Sequence, residues 1–288
     1  MEFITVMKII LLGIIEGITE WLPVSSTGHI ILFDRFFSVT DVSDGFMDMF
    51  EYVIQLAAIL AVVIIFWKKI FPFGLEKKSD QRPKIVCKQN VFLLWLKIVV
   101  ACLPAVFALV LDMLFDRLSP IGESAVIAST LIVYGIVFIL IEKFHKNEKS
   151  SISEIAEISY RYAFFIGCFQ ILAAIPGTSR SGVTIIGALL LGVSRTAAAE
   201  FTFILAIPTM VGTSAYKLLK FFLDAGAMTL PELGYLLIGS AVAFIVSLFA
   251  VKFLMDFVKK HDFKVFGWYR IALGVLVLAI LVVPPLLA

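Results

Sequence analysis

Two stretches of this chain put reactive side chains where a membrane helix should be oily. GIIEGITEWLPVSSTGHIIL, residues 13–32, carries Glu16, Glu20, Ser25, Ser26, Thr27 and His29. GCFQILAAIPGTSRSGVTII, residues 167–186, sets Arg180 among Thr178, Ser179 and Ser181. A guanidinium grips phosphate oxygens bidentately and stays charged when water is removed. Carboxylates hold Mg²⁺ or take a proton, and a hydroxyl or a water can attack phosphorus. The combination is an anion site with acid–base equipment.

Spacing sharpens this reading. Glu16 and Glu20 are four residues apart and share one face of a helix. A buried ionisable group near the bilayer centre costs roughly 2.5–3.5 kcal/mol on insertion scales. The pair therefore calls for a partner: Arg180, a bound metal ion or a proton. The plainer alternative has both glutamates snorkelling to the outer interface, a role that suits the longer stem of lysine better. In PVSSTGH, Pro23 ends one half-helix and Ser25 or Ser26 caps the next, whose N-terminal amides attract anions. A turn that only satisfies freed backbone groups explains one hydroxyl, not three hydroxyls and His29. In PGTSRSG, residues 176–182, two glycines let backbone approach a ligand closely. A structural Arg180 paired with Glu20 alone would leave those glycines and hydroxyls without a purpose. Assembled, the two stretches offer Ser25, Thr27, Thr178, Ser179 and Ser181 as substrate-binding groups.

Other polar residues carry less. Glu51 and Gln55 share a face at the start of one apolar run and Glu200 begins another; all three read as helix-end or supporting residues. Lys97 and Arg270 are expected to snorkel, Arg270 to the cytoplasmic interface near Lys264. His145 and His261 fall in expected loops and read as solvated. Cys87, Cys102 and Cys168 have no metal or disulfide spacing, and the last two read as buried hydrophobes.

The elements that must position these groups belong to a membrane. The 288 residues are 61% hydrophobic and 16% charged, with mean hydropathy +1.03. Soluble domains are closer to half apolar and a quarter charged, so an ordinary soluble fold is excluded, and nothing points to nucleic acid. Six runs, near 46–67, 91–112, 124–142, 197–219, 233–255 and 266–286, can cross about 30 Å of hydrocarbon as helices. The segments 4–35 and 160–192 are too polar at their centres for plain spans. Each reads as a half-helix, an irregular turn at the proline and a second half-helix, tolerated at depth only inside protein or along a polar cavity. The apolar N-terminal stretch is interrupted by Glu16 and Glu20 and has no cleavage site, so it does not read as a signal peptide.

The expected fold is an all-α polytopic membrane protein: six transmembrane helices plus two re-entrant helical hairpins. It forms a single domain, 1–288, built of two inverted-topology repeats, 1–142 and 160–288. Broken segments at corresponding positions of two such repeats mark a midplane site. Sixteen lysines and arginines fall in the segments 68–88, 143–161, 252–264 and at Arg195, against five at Lys8, Arg35, Arg117, Lys217 and Lys220. The richer side is expected to be cytoplasmic. Both termini and the loops near 36–47, 113–123 and 221–232 then face outward, with the Glu-bearing hairpin entering from outside and the Arg-bearing one from inside.

EGITEWLPVSSTGH, FEYVIQLAAILAVVIIFW, IPGTSRSG and EFTFILAIP, in that order along essentially the whole chain, resemble the motifs of the bacterial undecaprenyl-diphosphate phosphatase family of the bacitracin-resistance type. The resemblance implies a hydrolase of the bacterial cytoplasmic (inner) membrane that converts undecaprenyl diphosphate to undecaprenyl phosphate and inorganic phosphate at the outer side. That reaction recycles the lipid carrier for cell-wall synthesis. It implies Glu20, Ser26, His29 and Arg180 as catalytic, with Ser26 as nucleophile, Glu20 or His29 as base and Arg180 on the diphosphate. Glu16 and Glu20 would hold a divalent cation, Mg²⁺ or Ca²⁺, or Glu16 would tune its neighbour. The nucleophile stays open between Ser26, His29 and water. A homodimer is compatible with the sequence, which is silent on oligomeric state. Two rivals stand beside this reading. A two-histidine lipid phosphatase lacks its second membrane histidine here. A transporter or flippase for an anionic lipid or small anion would use the same midplane site.

Overall fold

A computed structural model describes residues 2–76, 84–108, 111, 115, 118–144, 150–224 and 227–287. Its main helices are α1 (Phe3–Thr19), α2 (Ser26–Phe37), α3 (Phe46–Ile65) and α4 (Gln89–Cys102), the last extended by a 3-10 turn over Leu103–Phe107. They continue as α5 (Pro120–Phe144), α6 (Tyr160–Ile171), α7 (Arg180–Leu190), α8 (Arg195–Asp224), α9 (Leu230–Val258) and α10 (Lys264–Val277), which runs on through a π turn, Leu278–Val282. Six segments are long and apolar enough to cross a membrane: 46–65, 89–107, 120–144, 195–224, 230–258 and 264–285. They coincide with the expected runs, with their ends moved by a few residues. α8 is the least apolar of the six and the most buried inside the protein. A helix that faces protein rather than lipid tolerates Thr202, Thr209 and Ser214.

One departure lies in the basic segment 68–88. Phe73–Glu76 pairs antiparallel with Lys84–Cys87, Phe73 opposite Cys87 and Glu76 opposite Lys84. The expected fold is all-α and has no strand here. Two four-residue runs rich in Phe, Leu, Ile and Val are too short to show a period, and pairing satisfies their backbone.

Polar contacts gather the helix ends into two groups. At one end, Glu2 N donates to the Tyr235 hydroxyl at 3.2 Å and Lys8 Nζ to Ser38 O at 2.6 Å. Glu232 there accepts from Ser43 N at 2.6 Å and Thr229 N at 2.8 Å. At the other end, the buried Glu142 carboxylate accepts from Arg195 Nε at 2.9 Å and from Phe263 N at 3.1 Å, tying α5, α8 and α10 together. Lys69 pairs with Glu200 at 2.7 Å, and Ser151 N donates to Gly192 O at 3.1 Å. Glu200 thus serves a helix end, as its place in the sequence suggests.

Between these ends the helices interlock. α1 lies on α9, α3 on α8 and α9, α5 on α10, and α6 on α4. The α5–α10 crossing is backbone to backbone: a Cβ on Gly135 would stand 2.7 Å from Gly267 O, and one on Gly267 2.7 Å from Gly135 O. In lipid, where no hydrophobic effect drives helices together, such small-residue contacts let dispersion and packing do so.

Candidate active site

The two broken segments meet through one carboxylate. α1 ends at Thr19, and Glu20 follows with its side chain 9% exposed. Arg180 Nη2 donates to Glu20 Oε1 at 3.0 Å, and Ser26 Oγ donates to Glu20 Oε2 at 3.3 Å. Ser181 Oγ donates to Glu20 O at 3.1 Å and sits 3.2 Å from Ser179 Oγ. Arg180 Nη1 reaches Thr209 Oγ1 on α8 at 3.3 Å.

Ser26 and Arg180 are presented by two copies of one local device. Ser25 and Ser179 are the non-glycine residues with positive φ among the described residues, 75° and 69°. Each is the N-cap of the following helix, and each side-chain oxygen accepts from the amide three residues on, Gly28 N at 3.4 Å and Gly182 N at 3.3 Å. Left-handed backbone is costly for a residue with a Cβ, and such strain concentrates at functional sites. Here it lets Ser26 and Arg180 occupy the first positions of α2 and α7, where free amides and the positive end of each helix face a common space. Before the second turn, Gly177 has φ +81° and backs onto α5. Thr130 Oγ1 donates to Pro176 O at 2.8 Å, fixing the same turn.

Arg270 corrects the snorkelling expectation. It is fully buried. Nη1 donates to Pro23 O at 3.3 Å, and Nη2 to Gly177 O at 3.0 Å and Thr178 O at 2.9 Å. Turns that interrupt helices at depth expose carbonyls with no water to meet them. A guanidinium, with five donors in a rigid fork, satisfies several at once. Its carbon lies 5.8 Å from the Tyr134 ring centroid.

The common space is a cavity of about 290 Å³. Of the residues singled out by sequence, Glu20, Ser26, Thr27, Thr178, Ser179 and Arg180 line it. Glu16, Ser25, His29 and Ser181 do not. Glu16 is fully buried one turn before Glu20, and neither of its carboxylate oxygens is hydrogen-bonded. Ser25 and Ser181 hold the turns. His29 Nδ1 is 2.7 Å from Ser25 O and Nε2 is 2.7 Å from the Tyr269 hydroxyl. Because a carbonyl only accepts, Nδ1 carries the proton and donates it to Ser25 O. Both ring nitrogens are thereby engaged away from Ser26. Gln55, read as a supporting residue, lines the cavity with Tyr52, Gln170, Thr209 and Thr213. Of these Tyr52, Gln170, Thr209 and Thr213 were not singled out by sequence, since a neutral polar side chain in an apolar run carries no charge to mark it. His145 lies outside the described residues, and His261 stacks on Phe257 with centroids 4.6 Å apart. Cys102 and Cys168 are partly rather than fully buried.

A larger hollow of about 590 Å³ lies at the other group of helix ends, beside Glu142 and Arg195. Its Arg195 guanidinium pairs with the Glu142 carboxylate.

Comparison with known proteins gives the family. A family model described as bacitracin resistance protein BacA matches residues 9–276. A relative from Enterococcus faecalis named undecaprenyl-diphosphatase is 56% identical over 281 residues, covering 97% of this chain and 98% of the relative. One of the same name from Desulfitobacterium hafniense is 54% identical over 280 residues, 96% of each. Another from Streptococcus pyogenes serotype M3 is 50% identical over 279 residues, 96% of this chain and 97% of the relative. By both the family match and these near-full-length identities, the chain belongs to the bacitracin resistance protein BacA family.

Proposed function

We propose that this protein hydrolyses undecaprenyl diphosphate to undecaprenyl phosphate and inorganic phosphate, with the Glu20, Ser26 and Arg180 cavity as its active site. The relatives' shared name supports the reaction, and one observation carries the site: a single carboxylate, Glu20, holds Arg180 by one oxygen and Ser26 by the other.

The terminal phosphoryl group sits between Arg180 and the amides at the starts of α2 and α7, where its charge is met without solvent reorganisation. Ser26 Oγ attacks phosphorus and its proton passes to Glu20 Oε2. The bond from phosphorus to the bridging oxygen breaks and undecaprenyl phosphate departs, taking up the proton from Glu20. Water then attacks the phosphoserine with Glu20 again as base, the P–O bond to Ser26 breaks, and the serine oxygen regains a proton. His29, bound to Ser25 O and Tyr269, positions the turn before Ser26.

Glu16 and Glu20 fit a divalent cation, Mg²⁺ or Ca²⁺. Glu16 offers two buried oxygens without donors, and hard cations accept one or two carboxylates completed by phosphate oxygens and water. When bound, the ion supplies positive charge to the diphosphate oxygens.

The wider topology follows the same reading. Lys8 near the start of α1 touches Ser38 just past α2, and Ser151 before α6 touches Gly192 just past α7. Each broken pair thus returns to the end it started from, which supports two re-entrant hairpins in inverted repeats. The lysine and arginine asymmetry supports outward termini in the bacterial cytoplasmic membrane, with the site open to the outer side. Intact-lipid transport has no observation of its own here. The test is phosphate release from C55 polyprenyl diphosphate by purified protein in detergent with Mg²⁺ or Ca²⁺, beside Arg180→Ala. Release by wild type that vanishes in Arg180→Ala is expected; equal release by both would remove the cavity from the reaction.

A further inference from the structure

The two broken segments align residue for residue at a separation of 154, and the alignment is structural. Ser25 and Ser179 are both positive-φ caps, and Gly28 and Gly182 both donate to them. Pro23 and Gly177 both give their carbonyls to Arg270. Gly13 on α1 lies against Gly239 O of α9, and Gly167 on α6 lies against the backbone of Ala101 on α4. In this register Gln170 stands where Glu16 stands.

Both are buried, Glu16 fully and Gln170 to 5% exposure, and both keep side-chain oxygens without a partner. Gln170 differs in lining the cavity that holds Glu20, Ser26 and Arg180. An unpaired amide oxygen in a packed interior is costly, and each such group in a native fold calls for an explanation. That oxygen is sealed in the packing, which leaves the amide nitrogen as the group of Gln170 able to meet a ligand in the cavity.

A count of donors says which part of a ligand. Among the described lining residues Arg180 is the sole cation, and it already serves Glu20 and Thr209. Its remaining N–H groups and the helix amides suffice for one phosphoryl group. A diphosphate has two. The Thr209 and Thr213 hydroxyls donate back to carbonyls of their own helix. Amide donors remain at Gln170 and Gln55. Position decides between the phosphates. α6 packs on the 3-10 turn Leu103–Phe107, whose Ala105 lines the cavity and whose Leu103, Val106 and Phe107 are exposed by more than half. In a membrane segment those side chains face lipid, so a polyprenyl tail leaves the cavity on the side of Gln170.

We propose that Gln170 donates from its amide to the phosphate that stays on the lipid, while Arg180 and the helix amides hold the phosphate that is cleaved. This rests on the cavity being the diphosphate site. A neutral donor suits that place: it binds the ester phosphate without adding a charge that would retain the product.

The test compares full-length wild type, Gln170→Leu, Gln170→Glu and Arg180→Ala in detergent, each checked for monodisperse elution. For Gln170→Leu, KM for C55 diphosphate and the inhibition constant of undecaprenyl phosphate should both rise about tenfold, with inhibition by inorganic phosphate unchanged. Gln170→Glu keeps shape and polarity if the leucine fails to fold, and it should weaken both lipid phosphates more strongly still. Wild-type constants for both lipids in either folded variant would overturn the proposal. So would parallel changes for the lipids and inorganic phosphate, the mark of a general distortion. An active Arg180→Ala would instead overturn the cavity reading beneath it.

Discussion

Glu20 Oε1 stands 3.0 Å from Arg180 Nη2, a contact across 160 residues of sequence that joins the two broken segments. In the proposed mechanism Oε1 of Glu20 holds Arg180 and Oε2, bonded to Ser26, does the chemistry. Glu20→Gln separates the two. The amide oxygen still accepts from Arg180, but the group no longer takes a proton. General-base removal typically costs about 10²–10⁴-fold in rate, so kcat for phosphate release should fall by that range while the melting temperature in detergent moves little. Retention of more than a tenth of wild-type kcat would exclude Glu20 as the base.

Arg270 links the carbonyls of Pro23, Gly177 and Thr178, so its truncation should be felt in both broken segments at once. Arg270→Met leaves three buried acceptors without donors, each worth about 1–3 kcal/mol when unsatisfied. A loss of several kcal/mol in a chain this size lowers Tm by roughly 10 °C or more, and phosphate release should fall at least tenfold because Ser26 and Arg180 follow those turns. Arg270→Lys, a single ammonium without the fork, should lie between. A methionine variant that melts like wild type would show that other donors satisfy these carbonyls.

The sequence was legible wherever its signal was local. Apolar runs gave the six crossings, and Pro23 with the following serines marked a broken helix; the structure assigns the cap to Ser25 where sequence allowed Ser25 or Ser26. Glu20, Ser26 and Arg180 could be joined beforehand because charge in an apolar segment demands a partner. Arg270 was misread for the converse reason. Its partners are backbone carbonyls, and every residue has one, so nothing in the sequence names them. Gln170 was missed because it is neutral, and only the register of the two turns pairs it with Glu16. The orientation of His29 toward Tyr269 was equally invisible, since it depends on how α10 lies beside α2.

A cation held by Glu16 and Glu20 makes a separable prediction. Chelation with EDTA should abolish phosphate release, and Mg²⁺ or Ca²⁺ should restore it. Glu16 touches neither Arg180 nor Ser26 by hydrogen bonding, so Glu16→Gln should act chiefly on the ion. The divalent concentration giving half-maximal rate should rise at least tenfold, with much of the rate recovered at saturation. Full activity of wild type in excess chelator would remove the ion from the site, and an unchanged metal requirement in Glu16→Gln would remove Glu16 from the ion.

Two glycines with nearly the same φ separate strain from positioning. Gly45 has φ +76° and a Cβ there would meet nothing within 4 Å. Gly177 has φ +81°, and a Cβ would stand 2.5 Å from Thr130 Oγ1 and 2.8 Å from Ile127 Cα on α5. Alanine at Gly45 therefore bears only the left-handed penalty, about 1–2 kcal/mol, and should lower Tm by a few degrees with activity intact. Alanine at Gly177 adds overlap with helix backbone, which costs about 1–3 kcal/mol more, and relief requires the turn to move. Because Thr178, Ser179 and Arg180 follow directly, phosphate release should fall at least tenfold as Tm drops further. If both variants lose stability but keep equal activity, the close approach of this turn to α5 holds the fold without positioning Arg180.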